Sequence, residues 1–173
     1  MSPKSTILAG IYDHAIWLQV KGRGTFQTSA GMKEYTRRMI QRGHRAFIID
    51  LAGCELMDST FMGTMAGIAL RLREIGSGSL SVLNANPRNH MLLENLGLDH
   101  LFSFDLPEGV RPAPAQAAAQ ETLPPAISDE ATQHATILSA HEALVEADPE
   151  NVERFKDVLE LLKQETQQDS SEA

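Results

Sequence analysis

The residues from Ala46 to Thr64 constrain the fold more than any other stretch, because they predict a buried strand followed closely by a helix. The apolar run Phe47-Ile48-Ile49 is short and contains β-branched residues, which favours a strand, and Gly53 is expected to end it. Asp58-Ser59-Thr60 are all helix-capping residue types. Behind them apolar residues recur at spacings of three and four: Phe61, Met65, Ile68, Leu72 and Ile75. This pattern predicts a helix whose first turn carries two hydroxyls beside a carboxylate.

The flanking sequence completes an α/β pattern. The predicted elements are strands at 7–11 and 15–21, a loop at Gly22-Arg23-Gly24-Thr25, a helix capped by Thr28 or Ser29 and ended by Gly43, a strand at 80–83, a helix from Pro87 to Gly97, and a last strand or extended segment at 101–104. The glycine loop lacks the rest of a phosphate-binding fingerprint, so a plain turn is predicted there. The fold class is therefore α/β, a mixed sheet with helices packed on it and with its later strands parallel.

The sequence divides into four predicted segments. Residues 1–106 carry the α/β pattern, and 107–126 are rich in Pro and Ala, which favours an extended linker. Residues 127–166 predict a C-terminal appendage, a helical hairpin whose first helix could be capped by Ser128. It is too small to bury both apolar stripes alone, so it is expected to pack on the domain, on a second copy of the chain as a homo-oligomer, or on a partner. Residues 167–173 are expected to be disordered.

Composition excludes several classes of function. The 173-residue chain has 23 acidic and 15 basic residues and a formal net charge of -8, which disfavours nucleic acid and anionic membranes. Five of the basic residues gather within one stretch, which suggests either a solvated helix face or a docking patch for an acidic partner: Lys33, Arg37, Arg38, Arg42 and Arg45. No apolar run is long enough for membrane insertion, and the single cysteine, Cys54, agrees with a reducing compartment, so a cytoplasmic location is expected. The six histidines show no metal-ligand spacing, and no catalytic motif occurs, so neither a metal, a cofactor nor an enzyme is predicted.

The strand and the triplet together resemble the STAS domain of bacterial anti-sigma-factor antagonists, in which a strand leads through D-S-[S/T]-G-[aliphatic] into a helix. The resemblance covers roughly residues 7–106, and its most specific part is Asp58-Ser59-Thr60 after the F-I-I-D-L strand. It implies that Ser59 is a regulatory phosphoacceptor, with Thr60 as the secondary candidate. Capping of the helix by Asp58 can coexist with that role.

The resemblance also implies partners and a mode of control. In the family, the partner is an anti-sigma factor that is also a serine kinase with a histidine-kinase-like ATP-binding fold, and a metal-dependent serine phosphatase reverses the mark. The nucleotide belongs to that partner. The implied function is an anti-sigma-factor antagonist or a related partner-switching regulator. The alternative is a STAS adaptor or accessory subunit of a membrane transporter.

Two positions depart from the family pattern. Phe61 stands where the family has glycine, and Thr25 stands where an earlier loop usually ends in aspartate. The expected partner-binding residues are Asp58, Ser59, Thr60, Phe61, Met62 and Thr25. Phe61 is predicted to be an exposed anchor for the partner; in the competing interpretation, its ring continues the apolar stripe of the helix and folds into the core.

Overall fold

A computed structural model describes residues 5–124 and 129–171. Its elements are β1 Thr6–Tyr12, β2 Ala15–Gly24, α1 Phe26–Gln41, β3 Ala46–Met57, α2 Ser59–Ile75, β4 Ser79–Leu83, α3 Pro87–Asn95, α4 Ala115–Ala118, β5 Glu121–Thr122, α5 Glu130–Ala147 and α6 Asn151–Ser171. The strands form one sheet in the order β4-β3-β2-β1-β5. β2, β3 and β4 are parallel, whereas β1 pairs antiparallel with both β2 and β5. The predicted mixed α/β sheet with C-terminal helices is therefore confirmed.

The central strand is longer than the sequence predicts. β3 continues through Gly53 to Met57, because β2 also continues through the predicted turn and pairs with it to Gly24. The register shifts twice along this pair, between Gln19 and Lys21 and between Gly22 and Arg23, and each shift places one extra residue in β3. Consequently α1 begins at Phe26 with Thr25 as its N-cap, earlier than the predicted caps at Thr28 or Ser29. Thr28 instead completes a capping box with Thr25.

The main core lies between the sheet and the helices α1 and α2. Its fully buried side chains include Leu18, Phe47, Ile49, Phe61 and Met65. Alternation along β3 sends Phe47 and Ile49 to this face and Ile48 to the other, where Ile48 joins Trp17 in a second cluster. Both faces of the central strands are thus covered, as a buried parallel sheet requires.

The Pro/Ala-rich segment covers the second face of the sheet. Ala118 is buried in the cluster with Trp17 and Ile48, and Leu106, Val110 and Ala113 pack against that cluster. β5 then adds two residues to the edge beside β1. Within the segment that the sequence assigns to a linker, the described residues therefore contribute packing and one short strand. Residues 101–104 form no strand, although Ser103 makes an isolated bridge to Ser81 of β4.

The helices α5 and α6 form an antiparallel hairpin that packs on the domain. α5 begins after Asp129, which caps it; the proposed cap Ser128 lies outside the described residues. Asn151, fully buried at the start of α6, donates to the carbonyl oxygens of Leu96 (2.9 Å) and Leu144 (2.8 Å). These buried bonds join carbonyls near the ends of α3 and α5 and attach the hairpin to the end of α3. α6 continues to Ser171, where the sequence predicts disorder from residue 167. Its Glu and Gln residues are good helix formers, which allows the helix to propagate.

Candidate functional site

The side chain of Asp58 joins the starts of the two helices that face the sheet. Its Oδ1 accepts a hydrogen bond from the backbone N–H of Phe61 (2.8 Å), which caps α2. Its Oδ2 accepts from the backbone N–H of Phe26 (3.0 Å) at the start of α1. A carboxylate that binds two helix N-termini is favourable because both present unpaired N–H groups and positive dipole ends. Asp58 therefore performs the capping that the sequence assigns to this triplet.

The hydroxyl of Ser59 contacts a different part of the chain. Its Oγ lies 3.0 Å from Nε2 of His141 on α5, 82 residues away in sequence. Nδ1 of the same ring lies 2.7 Å from the carbonyl oxygen of Ile137. Because a carbonyl can only accept, Nδ1 carries the proton, and in the neutral ring Nε2 accepts from the Ser59 hydroxyl. The half-buried Ser59 is thereby held by the C-terminal hairpin.

The hairpin approaches α2 very closely beyond this hydrogen bond. A Cβ placed on Gly63 would overlap the backbone of Ala140, so only glycine permits this separation of α2 and α5. His141 is 4% exposed, and Phe155 of α6 packs the edge of its ring at 5.0 Å between centroids. The surface of α2 next to Ser59 is consequently covered by α5, and α6 supports this contact through Phe155.

The predicted partner-binding residues occupy different environments. Asp58, Ser59 and Thr25 are partly exposed at adjoining helix starts, whereas Thr60 and Met62 are 6% and 4% exposed. Thr60 is therefore less accessible from solvent than Ser59.

The prediction that Phe61 is an exposed anchor is wrong. Its ring is fully buried in the main core, which confirms the competing interpretation. The physical reason is Gly24 at the end of β2: a Cβ there would lie 2.6 Å from Cδ1 of the ring. The absence of that side chain leaves the space that the ring fills.

Sequence reasoning missed His141. The spacing of the histidines excludes a shared metal ion, but a contact across 82 residues leaves no local signal. Within the described residues, no group of three or more His, Cys, Asp or Glu side chains could hold a metal ion.

The hydrogen-bonded pair of Ser59 and His141 is restricted in the chemistry that it can carry out. A serine bonded to an imidazole can act as a nucleophile and its base when a third group orients the ring. Here the carbonyl oxygen of Ile137 orients the ring at Nδ1, but the helices cover the pair. What the arrangement can do is hold, shield and release one hydroxyl at the start of a helix.

The fold and site define a class of protein: an α/β domain with a mixed sheet that presents a serine at the start of a central helix. Comparison with models of known protein families identifies the family. The STAS domain model matches residues 6–113, and the chain therefore belongs to the STAS domain family. Among curated proteins, no sequence match was found. In the part of the chain that the structure describes, no helix is long and apolar enough to cross a membrane.

Solved structures share the fold at low sequence identity. The NMR structure of the protein TM1081 has a TM-score of 0.52 at 17% identity, covering 57% of this chain and 78% of TM1081. A crystal structure of the same protein, TM1081 from Thermotoga maritima, is described provisionally as that of an anti-sigma factor antagonist. It has a TM-score of 0.50 at 16% identity and covers 57% of this chain and 84% of TM1081. The anti-sigma factor antagonist SpoIIAA in its unphosphorylated form has a TM-score of 0.45 at 18% identity and coverages of 51% and 81%.

Proposed function

We propose that the protein is an anti-sigma-factor antagonist, or a related partner-switching regulator, and that reversible phosphorylation of Ser59 controls its binding. The observation that carries the proposal is that Asp58 caps α2 while the Ser59 hydroxyl bonds to another element. The hydroxyl is therefore not needed to start the helix. Membership of the STAS family and the description of the Thermotoga maritima structure support the same class of function.

A phosphate on Ser59 would change the surface without unfolding the domain. It adds about -1.5 to -2 charges at a helix N-terminus, where N–H groups and the dipole tolerate an anion. The esterified oxygen of Ser59 can no longer donate a hydrogen bond to His141. The phosphate would also lie beside the negatively charged carboxylate of the preceding residue, Asp58. A partner that packs on the bare hydroxyl would then meet a bulky anion and like-charge repulsion, so binding is switched locally.

The hairpin gives this control a second requirement. His141 and the close contact at Gly63 cover the face of α2 that follows Ser59, so a kinase or partner must displace α5 to reach it. The kinase that the proposal requires is an anti-sigma factor with a histidine-kinase-like ATP-binding fold, opposed by a metal-dependent serine phosphatase. The nucleotide is the partner's, and this chain acts by binding, not by catalysis.

The test uses the full chain and a purified kinase partner of that fold. After incubation with ATP, intact-mass analysis should show one added phosphate on the wild type and on Thr60→Ala, and none on Ser59→Ala. Calorimetry should show Ser59→Ala binding at least as tightly as the unmodified wild type, because this substitution also removes the bond to His141, and Ser59→Asp binding at least about tenfold more weakly. A phosphate that maps to Thr60 or elsewhere, or equal binding by Ser59→Ala and Ser59→Asp, would contradict the proposal.

The same phosphorylation assay, with a matched pair of histidine variants, tests whether α5 restricts access to Ser59. His141→Ala removes the bond to Ser59 and should be phosphorylated several-fold faster than the wild type. His134→Ala changes the other histidine of the same helix and should leave the rate unchanged. Equal rates for all three proteins would mean that α5 does not restrict access.

A further inference from the structure

A cavity of about 470 Å³ lies between α1, α2 and α5. Its walls are mostly apolar, and the helices α1 and α2 contribute Ile40 and Ile68 to them. Pockets that bind small organic molecules are typically of this volume, predominantly apolar, with a few polar groups that fix orientation. The cavity does not include Ser59 or His141, so it is distinct from the serine site.

The charged residues that line the cavity are all positive. Lys33 and Arg37 of α1 and Arg71 of α2 line it. The Lys33 ammonium donates to the hydroxyl of Ser139 (3.0 Å) and has further N–H donors. Three cationic residues thus line one cavity of a chain whose net charge is -8.

The acidic partners of the two arginines leave donors available. Arg37 pairs with Glu34 at 2.6 Å, and Arg71 approaches Glu74 at 3.5 Å. Neither glutamate is among the residues that line the cavity. A guanidinium has five N–H donors, so each can bind an anion while its glutamate pair persists.

A glycine leaves the interior of the cavity open. Gly67 lines it midway along α2, and a Cβ placed there would meet only Ala143, at an ordinary contact distance of 3.7 Å. This differs from Gly63 one turn earlier, where a Cβ would overlap the backbone of α5. The helices α2 and α5 therefore diverge from Gly63 towards Gly67, and the space beside Gly67 results from the angle at which the two helices cross.

We propose that this cavity binds a small organic acid, a carboxylate or phosphate monoester with an apolar body, whose anionic group lies between Lys33, Arg37 and Arg71. The apolar walls exclude a purely ionic ligand such as free phosphate, and the three cations select against neutral or cationic amphiphiles. Charge complementarity and the apolar interior therefore specify the same chemical class.

The position of the cavity gives its ligand a consequence for the hairpin. One wall belongs to α5, through Ser139 and Ala140, so the complete site exists only when the hairpin is docked. A ligand that requires the docked form stabilises it by mass action. This inference does not depend on phosphorylation of Ser59, and it can hold or fail separately.

The probe for the test is anilinonaphthalene sulfonate, an anion with an apolar aromatic body whose fluorescence rises in apolar surroundings. Its titration into the folded full chain should show saturable binding, and octanoate should displace it. Octyltrimethylammonium, with the same chain and the opposite charge, should not. The double variant Arg37→Gln/Arg71→Gln should weaken binding by about tenfold, since two rim charges are lost. The control Arg38→Gln/Arg73→Gln removes equal charge from the same helices outside the cavity and should bind like the wild type.

A steric variant tests the interior independently of charge. Gly67→Leu should fill the cavity and abolish saturable binding, whereas Gly67→Ala should retain it. Melting curves must show that both variants remain folded; if Gly67→Leu does not, the charge variants decide. No saturable binding, displacement by octyltrimethylammonium as effective as by octanoate, or equal losses in the two arginine pairs would overturn the proposal.

Discussion

The contact between Phe61 and Gly24 makes a quantitative prediction about the core. Phe61→Ala removes a fully buried ring, and such substitutions cost about 3–5 kcal/mol in the free energy of unfolding. Gly24→Ala adds a methyl whose carbon would lie 2.6 Å from the ring, so the ring must shift, and overpacking of this kind costs about 1–3 kcal/mol. Gly24 does not have a positive φ, so the backbone itself tolerates alanine.

The two substitutions should not be additive. When the ring is absent, the new methyl enters the vacated space, and alanine also improves on glycine within a strand by roughly 0.5–1 kcal/mol. Gly24→Ala should therefore be neutral or stabilising in the Phe61→Ala background. The coupling energy is then about 1–4 kcal/mol, well above the roughly 0.5 kcal/mol within which independent sites are additive.

The wild type, the two single variants and the double variant form a double-mutant cycle. Urea denaturation, followed by the fluorescence of the single tryptophan, Trp17, gives the free energy of unfolding of all four proteins. Equal m-values would show that the denatured state is unchanged. Phe102→Ala provides the control, because this buried ring lies near β4 at the far edge of the sheet and should be additive with Gly24→Ala. Additivity within about 0.5 kcal/mol for the Phe61 pair would refute the packing argument.

Two further predictions concern the Pro/Ala-rich segment. A chain ending at Leu106 should be less stable than one ending at Pro124 by about 2 kcal/mol or more, because the shorter chain uncovers the apolar face around Trp17. A red shift of the Trp17 fluorescence emission should accompany this loss of stability. Equal denaturation midpoints and equal emission spectra for the two chains would mean that the segment does not protect this face. The backbone N–H of Arg111, with its guanidinium, lowers the pKa of the Asp13 carboxyl, so the stabilisation is present above the unfolded pKa of about 4 and is lost as the pH falls through the folded value. The stability difference between the wild type and Asp13→Asn should accordingly shrink from pH 6 to pH 3 in denaturation curves, and a difference that is constant over that range would contradict the assignment.

The functional proposals concern surfaces that the hairpin brings together, and both depend on where α5 lies. The bond from His141 to Ser59 and the cavity beside Gly67 occur along one seam between α2 and α5. Removal of the hairpin would expose the serine and would also remove one wall of the cavity. The hairpin is therefore the element whose displacement would affect both sites.

The sequence by itself determined the elements whose signals are local. The short apolar run at 47–49 specified the first part of the central strand, and the capping residue types agree with the bond that Asp58 accepts from the N–H of Phe61 at the start of α2. These features depend on periodicity and on side chains that bond within three residues of themselves, so no tertiary contact is needed to recognise them. The family pattern at Asp58-Ser59-Thr60 belongs to the same local category.

Only the tertiary structure decided what covers these elements. An apolar ring at the start of a helix fits an interface and a core equally well, and the space left by Gly24 on another strand settled that Phe61 is internal. The Pro/Ala segment contains no strong periodicity, yet its small side chains pack on Trp17 and Ile48. His141 reaches Ser59 because two helices cross closely at a glycine. Such contacts depend on the relative placement of residues tens of positions apart, which local sequence patterns do not encode.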